Sequence, residues 1–415
     1  MIAAESAVPG AVRARPSHQI PSPAATVLSG TPVLHVELAT IEQRYLALSR
    51  ALAGIPLHYA VKANPAPAVL RTLAAMGCRW DVASPGEIDA VLAAGGRAVD
   101  MSYGNTIKKS VDIAYAAGLG VDRFAADSPV ELTKISAAAP ASTVLIRLAT
   151  SGAGADWALG GKFGCSEEEA AELLRRGHRA GHPMGLAFHV GSQQRNPHAW
   201  DTPLAAAGRL RRQLRAVGGE LSVVDLGGGF PARMLGSTPD DDAYGTAIRT
   251  AICQHLTADP VINQAVDSAA AELLDGGDER ESDLPELMAE PGRSLVADAG
   301  VLVAEVVLTS ERAGERWVYL DVGLFSGLVE AFGESICYRI EVRRNGIPLP
   351  GPTEPVILAG PTCDSLDVLY QRHRYLLPVD LRPGDQLHFQ SAGAYTASYS
   401  SVGFNGFAPL RAEYR

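Results

Sequence analysis

A lysine that follows a run of apolar residues is the first candidate for chemistry in this sequence. Lys62 stands in HYAVKAN, where the preceding apolar residues would partly desolvate its amine. Desolvation lowers the pKa of an amine and frees it to attack a carbonyl carbon, so Lys62 could be a Schiff-base nucleophile. Taken alone, such a residue is more often an ordinary lysine that caps a surface loop.

Two further motifs could bind a phosphorylated heterocycle. VVDLGGGFP contains Gly227, Gly228 and Gly229, whose backbone N–H groups could cradle a phosphate. EPGR contains Glu290, a carboxylate that could keep a ring nitrogen protonated, and Arg293, which could pair with a phosphate through two N–H groups. The structural alternatives are a plain tight turn and a Glu–Arg ion pair at the rim of the fold.

A histidine could complete such a site. His189 in FHVGSQ could stack on a planar ring, although it could also be an ordinary core or rim histidine. A nucleophilic lysine, a phosphate cradle, a carboxylate for a ring nitrogen and a stacking ring are together what pyridoxal phosphate requires. Their joint occurrence is far rarer by chance than any one of them, so the sequence predicts this cofactor.

The elements that must position these residues are short apolar segments that alternate with helical patterns. Each helical pattern closes on or near a glycine. The eight candidate strands are 57–61, 79–83, 99–102, 123–126, 143–148, 185–190, 221–226 and 286–290. Eight alternations predict a (β/α)₈ barrel with the reactive residues at the C-terminal ends of its strands. The competing architecture is an open, doubly wound sheet.

The pattern changes near residue 298, beyond which strand-like runs are separated by Gly, Pro and Asn. The runs are GVLVAEVVL, RWVYLDVG, CYRIEV, EPVILAG and DQLHFQ. We therefore predict a flexible leader over 1–30, a strand over 31–38 that joins the C-terminal β domain, a barrel over 39–298 and a β domain over 299–415. An acidic, turn-rich stretch over 237–283 predicts an excursion between the last two barrel strands.

Composition excludes several classes of protein. The 415 residues include 46 acidic and 36 basic side chains, a net charge of -10, without a basic cluster, so nucleic acid is not an expected partner. No segment has the apolar length of a signal peptide or a membrane span, so we expect no membrane association. The cysteines, which form no C-x-x-C pair and suggest neither a metal site nor disulfides, are Cys78, Cys165, Cys253, Cys337 and Cys363. A cytoplasmic location fits this pattern.

Taken in order, the motifs resemble those of the fold-type III pyridoxal-phosphate decarboxylases, the ornithine, lysine and diaminopimelate decarboxylase family. From about Thr31 onward these motifs are YAVKAN, DVASPGE, FHVGSQ, DLGGGFP, AEPGR, GPTCDSLD, GAYT and FNGF. The resemblance implies an alanine racemase-like fold, in which a TIM-type (β/α)₈ barrel precedes a C-terminal β domain. It also implies pyridoxal 5'-phosphate as cofactor and a homodimer with shared active sites.

The resemblance assigns a role to each matching residue. The catalytic residues would be Lys62, Cys363, His189 and Glu290. The cofactor would be held by Lys62, Asp81, Arg147, His189, Ser192, Gly227, Gly228, Gly229, Glu290, Arg293 and Tyr395. Asp81, Glu87 and Arg147 would organise the surroundings of the lysine.

The resemblance also places residues of one subunit in the site of the other. The partner would donate Cys363, which protonates the substrate carbanion, and Asp364, which binds the distal amine. Without its flanking motif, Cys363 would be taken for a buried small hydrophobic residue. The other substrate-binding residues would be Asp321 and Phe404, and Lys162 would pair with Asp367 across the dimer interface.

The expected reaction is decarboxylation of L-ornithine and/or L-lysine to putrescine or cadaverine, as in polyamine biosynthesis. CDSLD resembles the ornithine and lysine decarboxylase pattern more than the CESxD pattern of diaminopimelate decarboxylases. Val322 stands where animal ornithine decarboxylases carry a second substrate-binding aspartate, and Leu324 where bacterial relatives often carry lysine. The alternatives are diaminopimelate, a modified substrate of specialised metabolism, and a catalytically inactive binding homologue.

Overall fold

Two β-sheets organise the chain in the computed structural model, which describes residues 30–257 and 284–415. Most of the predicted leader, residues 1–29, lies outside the described residues, as does the part of the predicted excursion over 258–283.

The strands, in chain order, are β1 (Val33–Val36), β2 (His58–Ala60), β3 (Arg79–Val82), β4 (Met101–Tyr103), β5 (Arg123–Ala126), β6 (Thr143–Arg147), β7 (Ala155–Trp157), β8 (Met184–Ala187), β9 (Ser192–Gln194), β10 (Leu221–Asp225), β11 (Glu286–Met288), β12 (Gly300–Arg312), β13 (Glu315–Leu320), β14 (Arg339–Arg344), β15 (Ile347–Pro348), β16 (Thr353–Ala359), β17 (Val368–Pro378), β18 (Gln386–Gln390) and β19 (Arg411–Tyr414).

The α-helices are α1 (Leu38–Ala51), α2 (Pro67–Ala75), α3 (Pro85–Ala93), α4 (Ser110–Leu119), α5 (Pro129–Ala138), α6 (Glu167–Arg179), α7 (Asp201–Arg215), α8 (Asp241–Leu256) and α9 (Arg293–Val296). None of the helices in the described ranges has the length and apolar character that crossing a membrane requires.

The first sheet is a parallel barrel. Its strands follow the order β2, β3, β4, β5, β6, β8, β10 and β11. A parallel bridge between Leu57 and Ala289 joins the last strand to the first, and the His58 N–H donates to the Ala289 carbonyl at 2.8 Å. The eight predicted barrel strands are confirmed, with ends that shift by a few residues, and the open doubly wound alternative is wrong.

Helices on the outside of the barrel begin where the sequence supplies a cap. Ser84 and Ser128 each accept a hydrogen bond from the backbone N–H three residues further on, at 3.3 Å in both cases. In both helices proline follows the capping serine, where its missing N–H costs nothing. The SPGE and SPVE segments therefore begin α3 and α5 directly after β3 and β5.

The second sheet is mostly antiparallel. Its strand order is β15, β14, β18, β12, β13, β16 and β17, and β1 pairs with both β12 and β19. The all-β character of the C-terminal region is confirmed. The sequence analysis missed β17, whose QRHR segment interrupts the apolar pattern, and the short charged strand β19.

This second sheet contacts the turn that carries Lys62. The Tyr395 N–H donates to the Ala63 carbonyl at 2.8 Å, and the Asn64 amide donates to the Gly393 carbonyl at 2.9 Å. The hydroxyl of Tyr414, in β19, donates to the Asn64 side-chain oxygen at 3.2 Å. The residues on either side of the lysine thus depend on the β domain for their position.

A buried ion pair fixes the loops that follow β4 and β5. The Lys108 ammonium lies 3.0 Å from the Glu131 carboxylate and donates to the carbonyls of Asn105 and Ala125 at 2.7 and 2.6 Å. Lys134 contacts the other oxygen of Glu131 at 2.5 Å. Burial lowers the pKa of Lys108 to about 8 in spite of the attraction of Glu131.

We expect Glu131→Ala to destabilise the protein by about 3 kcal/mol, because it leaves the Lys108 charge buried without a counter-charge. Urea unfolding at neutral pH measures this loss. The matched control is Glu172→Ala, since Glu172 pairs with Arg175 and Arg179 on an exposed face and should contribute less than about 1 kcal/mol. Equal midpoints for the two variants would contradict the prediction.

Candidate active site

Side chains from several strand ends meet at the carboxyl end of the barrel. The Lys62 ammonium lies 2.6 Å from the Asp81 carboxylate, which belongs to the neighbouring strand β3. The Lys62 side chain is 48 % exposed, whereas Asp81 is buried. The buried Asp81 carboxylate therefore anchors the Lys62 ammonium, and the rest of the lysine side chain faces the open carboxyl end of the barrel.

The charge on Lys62 is set by its neighbours. Desolvation lowers the pKa of Lys62, but Asp81, Tyr395 and Glu290 outweigh it and raise that pKa above its usual value. The sequence-based expectation of a lowered pKa is wrong for this arrangement, because the carboxylates that surround the amine could not be seen from the local sequence. Asp81 therefore favours the protonated amine, which is not the form that attacks a carbonyl carbon.

Glu290 and Asp225 form a second feature of the site, a pair of buried carboxyl groups joined by a hydrogen bond. Burial raises the pKa of Asp225 to about 7, against the effect of a hydrogen bond from the Gly227 N–H. Burial, Asp225 and Asp81 hold the pKa of Glu290 well above its usual range. The arrangement therefore favours a proton shared between the two carboxyl groups.

His189 is held as a neutral ring. Burial and the positive charges of Arg147 and Lys62 lower its pKa to about 3. Its Nδ1 accepts a hydrogen bond from the Gly191 N–H at 3.1 Å, which fixes the plane of the ring. A neutral, fixed imidazole is suited to stacking on another planar ring.

The glycine triplet follows β10 directly, as the sequence predicts. Gly227 has a φ of +65°, and a Cβ there would lie 1.8 Å from the Phe188 carbonyl oxygen. A Cβ on Gly228 would lie 2.9 Å from the Nε2 of His189. No other residue type fits these positions, which bring the backbone close to the histidine ring.

Arg293 is buried and is paired with Glu330. Its Nη1 and Nη2 donate to the two oxygens of Glu330 at 2.8 and 2.5 Å, and Nη2 also donates to the Ser192 hydroxyl at 3.1 Å. The guanidinium lies 5.1 Å from the ring centroid of Tyr395. The structure thus brings together three of the residues expected to bind phosphate and adds a carboxylate that the sequence analysis did not predict.

Arg147 and Glu87 lie around this group. Arg147 ends β6, and its guanidinium lies 5.6 Å from the ring centroid of Phe163. Glu87 accepts a hydrogen bond from the Ala83 N–H at 2.7 Å, and burial raises its pKa to about 7. Neither residue has a described hydrogen bond to Lys62. Arg147 and Glu87 therefore act on the site through the electrostatic fields of their own charges.

The GPTCDSLD loop stands at the surface of the β domain. Cys363 is exposed, and its backbone N–H donates to the Asn405 side chain at 2.9 Å. Asp364 accepts from the Leu366 N–H at 2.9 Å. Asp367 instead turns inward and accepts from the backbone N–H groups of Leu324 and Thr362 at 2.8 and 3.1 Å.

Three predicted residues have contacts that differ from their expected roles. Asp321 accepts from the Glu305 N–H at 2.8 Å, so its described contact lies within the β domain and does not reach the Lys62 group. Lys162 is exposed and lies over the Phe163 ring. Asp367 already accepts hydrogen bonds from Leu324 and Thr362, so an interface pair with Lys162 would be an additional contact. That pair stays a prediction.

Phe404 lies close to the segment that follows Asp321. Its ring centroid lies 4.9 Å from that of Phe325, and 37 % of the residue is exposed. The sequence analysis missed Asp225 and Glu330. Asp225 stands one residue from the triplet, a signal that could have been used, whereas no local pattern marks Glu330.

The chain matches a family model described as "Pyridoxal-dependent decarboxylase, pyridoxal binding domain" over residues 38–297. It belongs to the pyridoxal-dependent decarboxylase family. It is 33 % identical to a lysine/ornithine decarboxylase of Selenomonas ruminantium over 378 residues, 91 % of this chain and 88 % of that protein. The enzyme is a pyridoxal-phosphate-dependent amino acid decarboxylase.

Solved structures of decarboxylases share the fold. The lysine/ornithine decarboxylase of Vibrio vulnificus complexed with cadaverine has a TM-score of 0.77 at 31 % identity, over 94 % of this chain and 96 % of that one. The arginine decarboxylase of Paramecium bursaria Chlorella virus bound to agmatine has a TM-score of 0.79 at 26 % identity, over 94 % and 98 %.

The residues at the barrel mouth fit pyridoxal phosphate. Three buried polar atoms lack a hydrogen-bond partner among the described residues: Oε1 of Glu290, Oδ1 of Asp81 and Nε of Arg293. An acceptor for a protonated ring nitrogen and a donor for a phosphate are what the cofactor needs at its two ends. The bare glycine triplet and the neutral His189 stand beside them.

The shared proton predicts a pH dependence. Because the pKa of Asp225 rises from 3.8 to about 7 on folding, the unfolded chain releases its proton first, and stability falls as the pH rises through that window. Asp225→Asn keeps an acceptor for the Gly227 N–H and removes the titration. Relative to wild type, the variant should gain up to about 1.4 kcal/mol per pH unit between about pH 4 and about pH 7.

Thermal unfolding of the cofactor-free protein at several pH values tests this. The exposed Asp122→Asn variant is the control and should follow the wild-type profile. Parallel profiles for Asp225→Asn and wild type would show that folding does not raise the pKa of Asp225.

Proposed function

We propose that this enzyme decarboxylates a basic L-amino acid, L-ornithine and/or L-lysine, to putrescine or cadaverine and CO₂. The observation that carries the proposal is the pair of functional groups in GPTCDSLD, a thiol followed by a carboxylate, on an exposed loop of a decarboxylase of this family. The lysine/ornithine and arginine decarboxylases that it resembles support a basic substrate.

The barrel residues would bind the cofactor. Lys62 would hold it covalently, Glu290 would share a proton with its ring nitrogen, and His189 would cover one face of its ring. Pyridoxal phosphate, when bound, supplies an electron sink for the electron pair that remains on Cα when CO₂ departs. The negative charges of Asp225 and Asp81, which help to raise the pKa of Glu290, would also raise the pKa of that nitrogen and favour its protonated form.

The phosphate would be held at the other end of the site. The donors proposed for it are the Ser192 hydroxyl, the backbone N–H groups of Gly228 and Gly229, Arg293 and the Tyr395 hydroxyl. The Gly227 N–H already donates to Asp225 and would shape the turn. Asp81 and Arg147 would set the field around the lysine. In this proposal, one end of the site attaches the cofactor covalently and balances its charge, and the other end binds its phosphate.

The substrate-binding site would be completed by two residues of the β domain. The Cys363 thiol would deliver a proton to Cα after the bond to CO₂ breaks, and the Asp364 carboxylate would pair with the distal ammonium. Both residues stand on an exposed loop, which favours their donation to the site of a second copy. We therefore propose a homodimer with shared sites.

The surface around Cys363 supports that assembly. The exposed apolar residues on this loop and the neighbouring turn are Leu366, Val402, Phe404 and Phe407. The bond from Cys363 to Asn405 joins the two segments. Apolar side chains exposed next to functional groups are typical of an interface that a second copy covers.

We also propose a division of labour along the chain. The barrel, 39–298, would bind the cofactor, and the strand over 31–38 with the β domain over 299–415 would build the shared site.

The cysteines are all unpaired, which suits a reducing, cytoplasmic location.

Release of CO₂ tests the reaction. The cofactor-loaded enzyme should act on L-ornithine or L-lysine, and less on L-arginine or meso-diaminopimelate, because Asp364 suits a simple ammonium. Mass analysis identifies the amine product. The matched control is Lys62→Ala, which should lose both turnover and the near-ultraviolet to violet absorbance of the bound cofactor. Preference for meso-diaminopimelate would overturn the substrate assignment.

Hybrid dimers test the shared site. Lys62→Ala and Cys363→Ala subunits are each expected to be nearly inactive, but random exchange at equal amounts restores one intact site in half of the dimers, or about one quarter of wild-type activity. Subunit exchange is verified with two different affinity tags. Exchange without recovery of activity would exclude a site built from both chains.

A further inference from the structure

The Arg293–Glu330 pair joins the segment that follows the last barrel strand to the β domain. Arg293 begins α9, directly after the barrel, and Glu330 lies in the irregular segment between β13 and β14. Their side chains are 3 % and 4 % exposed. A charge at this depth needs a counter-charge, so the two residues depend on each other.

The orientation of the pair is specific. A guanidinium offers one pair of donors at its tip and another along its Nε edge. Glu330 accepts from Nη1 and Nη2, which occupies the tip. Along the other edge, Nη2 reaches Ser192, and the buried Nε has no partner among the described residues.

We propose that Glu330 is a positioning residue that turns the Nε edge of Arg293 toward the phosphate of the cofactor. This inference rests on the proposed role of Arg293 as a phosphate ligand. It goes further by assigning the direction of that arginine to a carboxylate in the β domain. The free Nε–H beside Ser192 is the donor that such an arrangement leaves for an anion.

The pair has a consequence for selectivity. Because Glu330 cancels the charge of Arg293, attraction for the phosphate depends on the direction of the remaining N–H donors and less on net charge. Loss of Glu330 would let the guanidinium rotate away from that direction. The enzyme should then distinguish pyridoxal phosphate less well from pyridoxal, which has the same ring and aldehyde and no phosphate.

The test compares the binding of these two compounds. Dissociation constants for pyridoxal phosphate and pyridoxal are measured by absorbance titration of the wild-type, Glu330→Gln and Glu330→Asp proteins after removal of bound cofactor. For Glu330→Gln we expect the preference for pyridoxal phosphate to fall about tenfold, the scale of one hydrogen bond to a charged group, with pyridoxal binding unchanged. Glu330→Asp keeps the charge and should retain part of the preference.

Glu334→Gln is the matched control. Glu334 lies in the same segment but accepts from the backbone N–H groups of Gln371, Arg372 and His373, so its replacement should leave the preference unchanged. An equal loss for both compounds in Glu330→Gln would mean a merely structural role and would overturn the inference. Tighter binding of pyridoxal phosphate would also overturn it, because Glu330 would then oppose the phosphate.

Arg293→Gln separates this inference from the function on which it rests. If Arg293→Gln keeps the full preference, Arg293 does not bind the phosphate, and both assignments fail. If Arg293→Gln loses the preference and both Glu330 variants keep it, only the role of Glu330 fails. Should Glu330→Gln not fold, as thermal unfolding would reveal, Glu330→Asp alone decides: an unchanged preference rejects the positioning role, and a reduced one supports it.

Discussion

Buried carboxyl groups crowd the mouth of the barrel, and the position of Lys62 depends on them. Asp81 holds the ammonium at 2.6 Å, and burial together with Asp225 and Asp81 raises the pKa of Glu290. Such groups repel one another in a low dielectric, so the arrangement persists only where a proton or a cation offsets part of the charge. Lys62 supplies one cation, and a protonated ring nitrogen would supply another. The same crowding that raises the pKa of Glu290 therefore prepares the site for the cofactor of its family.

The β domain contributes to the barrel site before any second subunit is considered. Tyr395 and Gly393 bind the backbone and side chain of the two residues after Lys62, and Tyr414 reaches Asn64 from the last strand. Because a three-residue helical turn has few bonds of its own, these contacts restrict where Lys62 can point. The N-terminal strand β1 lies between β12 and β19, so the chain enters the β domain, passes through the barrel and returns. The lysine turn is thus positioned by parts of the chain more than 300 residues away.

The barrel was predictable because each of its strands is a short apolar run bounded by polar residues, and its reactive residues follow those runs directly. Lys62, His189, the glycine triplet, Glu290 and Arg293 all carry such local signals. Local sequence could not reveal Glu330, which acts on a residue 37 positions away, or the raised pKa of Lys62, which is a property of several strands together. Strand β17 was missed for a related reason, since its charged QRHR segment is exposed on an edge of the sheet where apolar alternation is not needed. The roles assigned to individual residues remain predictions that the experiments above address.

One segment of the β domain, 323–334, touches both ends of the proposed catalytic apparatus. Glu330 pairs with Arg293 in the barrel, and the Leu324 N–H donates to Asp367 in the loop that carries Cys363 and Asp364. The Cβ of any residue larger than glycine at position 323 would lie 2.1 Å from that Asp367 carboxylate, so the two segments meet at a point where only glycine fits. The segment 323–334 therefore supports both Arg293 and the exposed loop that carries Cys363. A substitution that displaced the backbone of this segment would change both, and turnover would report the sum of the two effects. The preference for pyridoxal phosphate over pyridoxal reports on Arg293 alone and is therefore the more informative measurement for Glu330 variants.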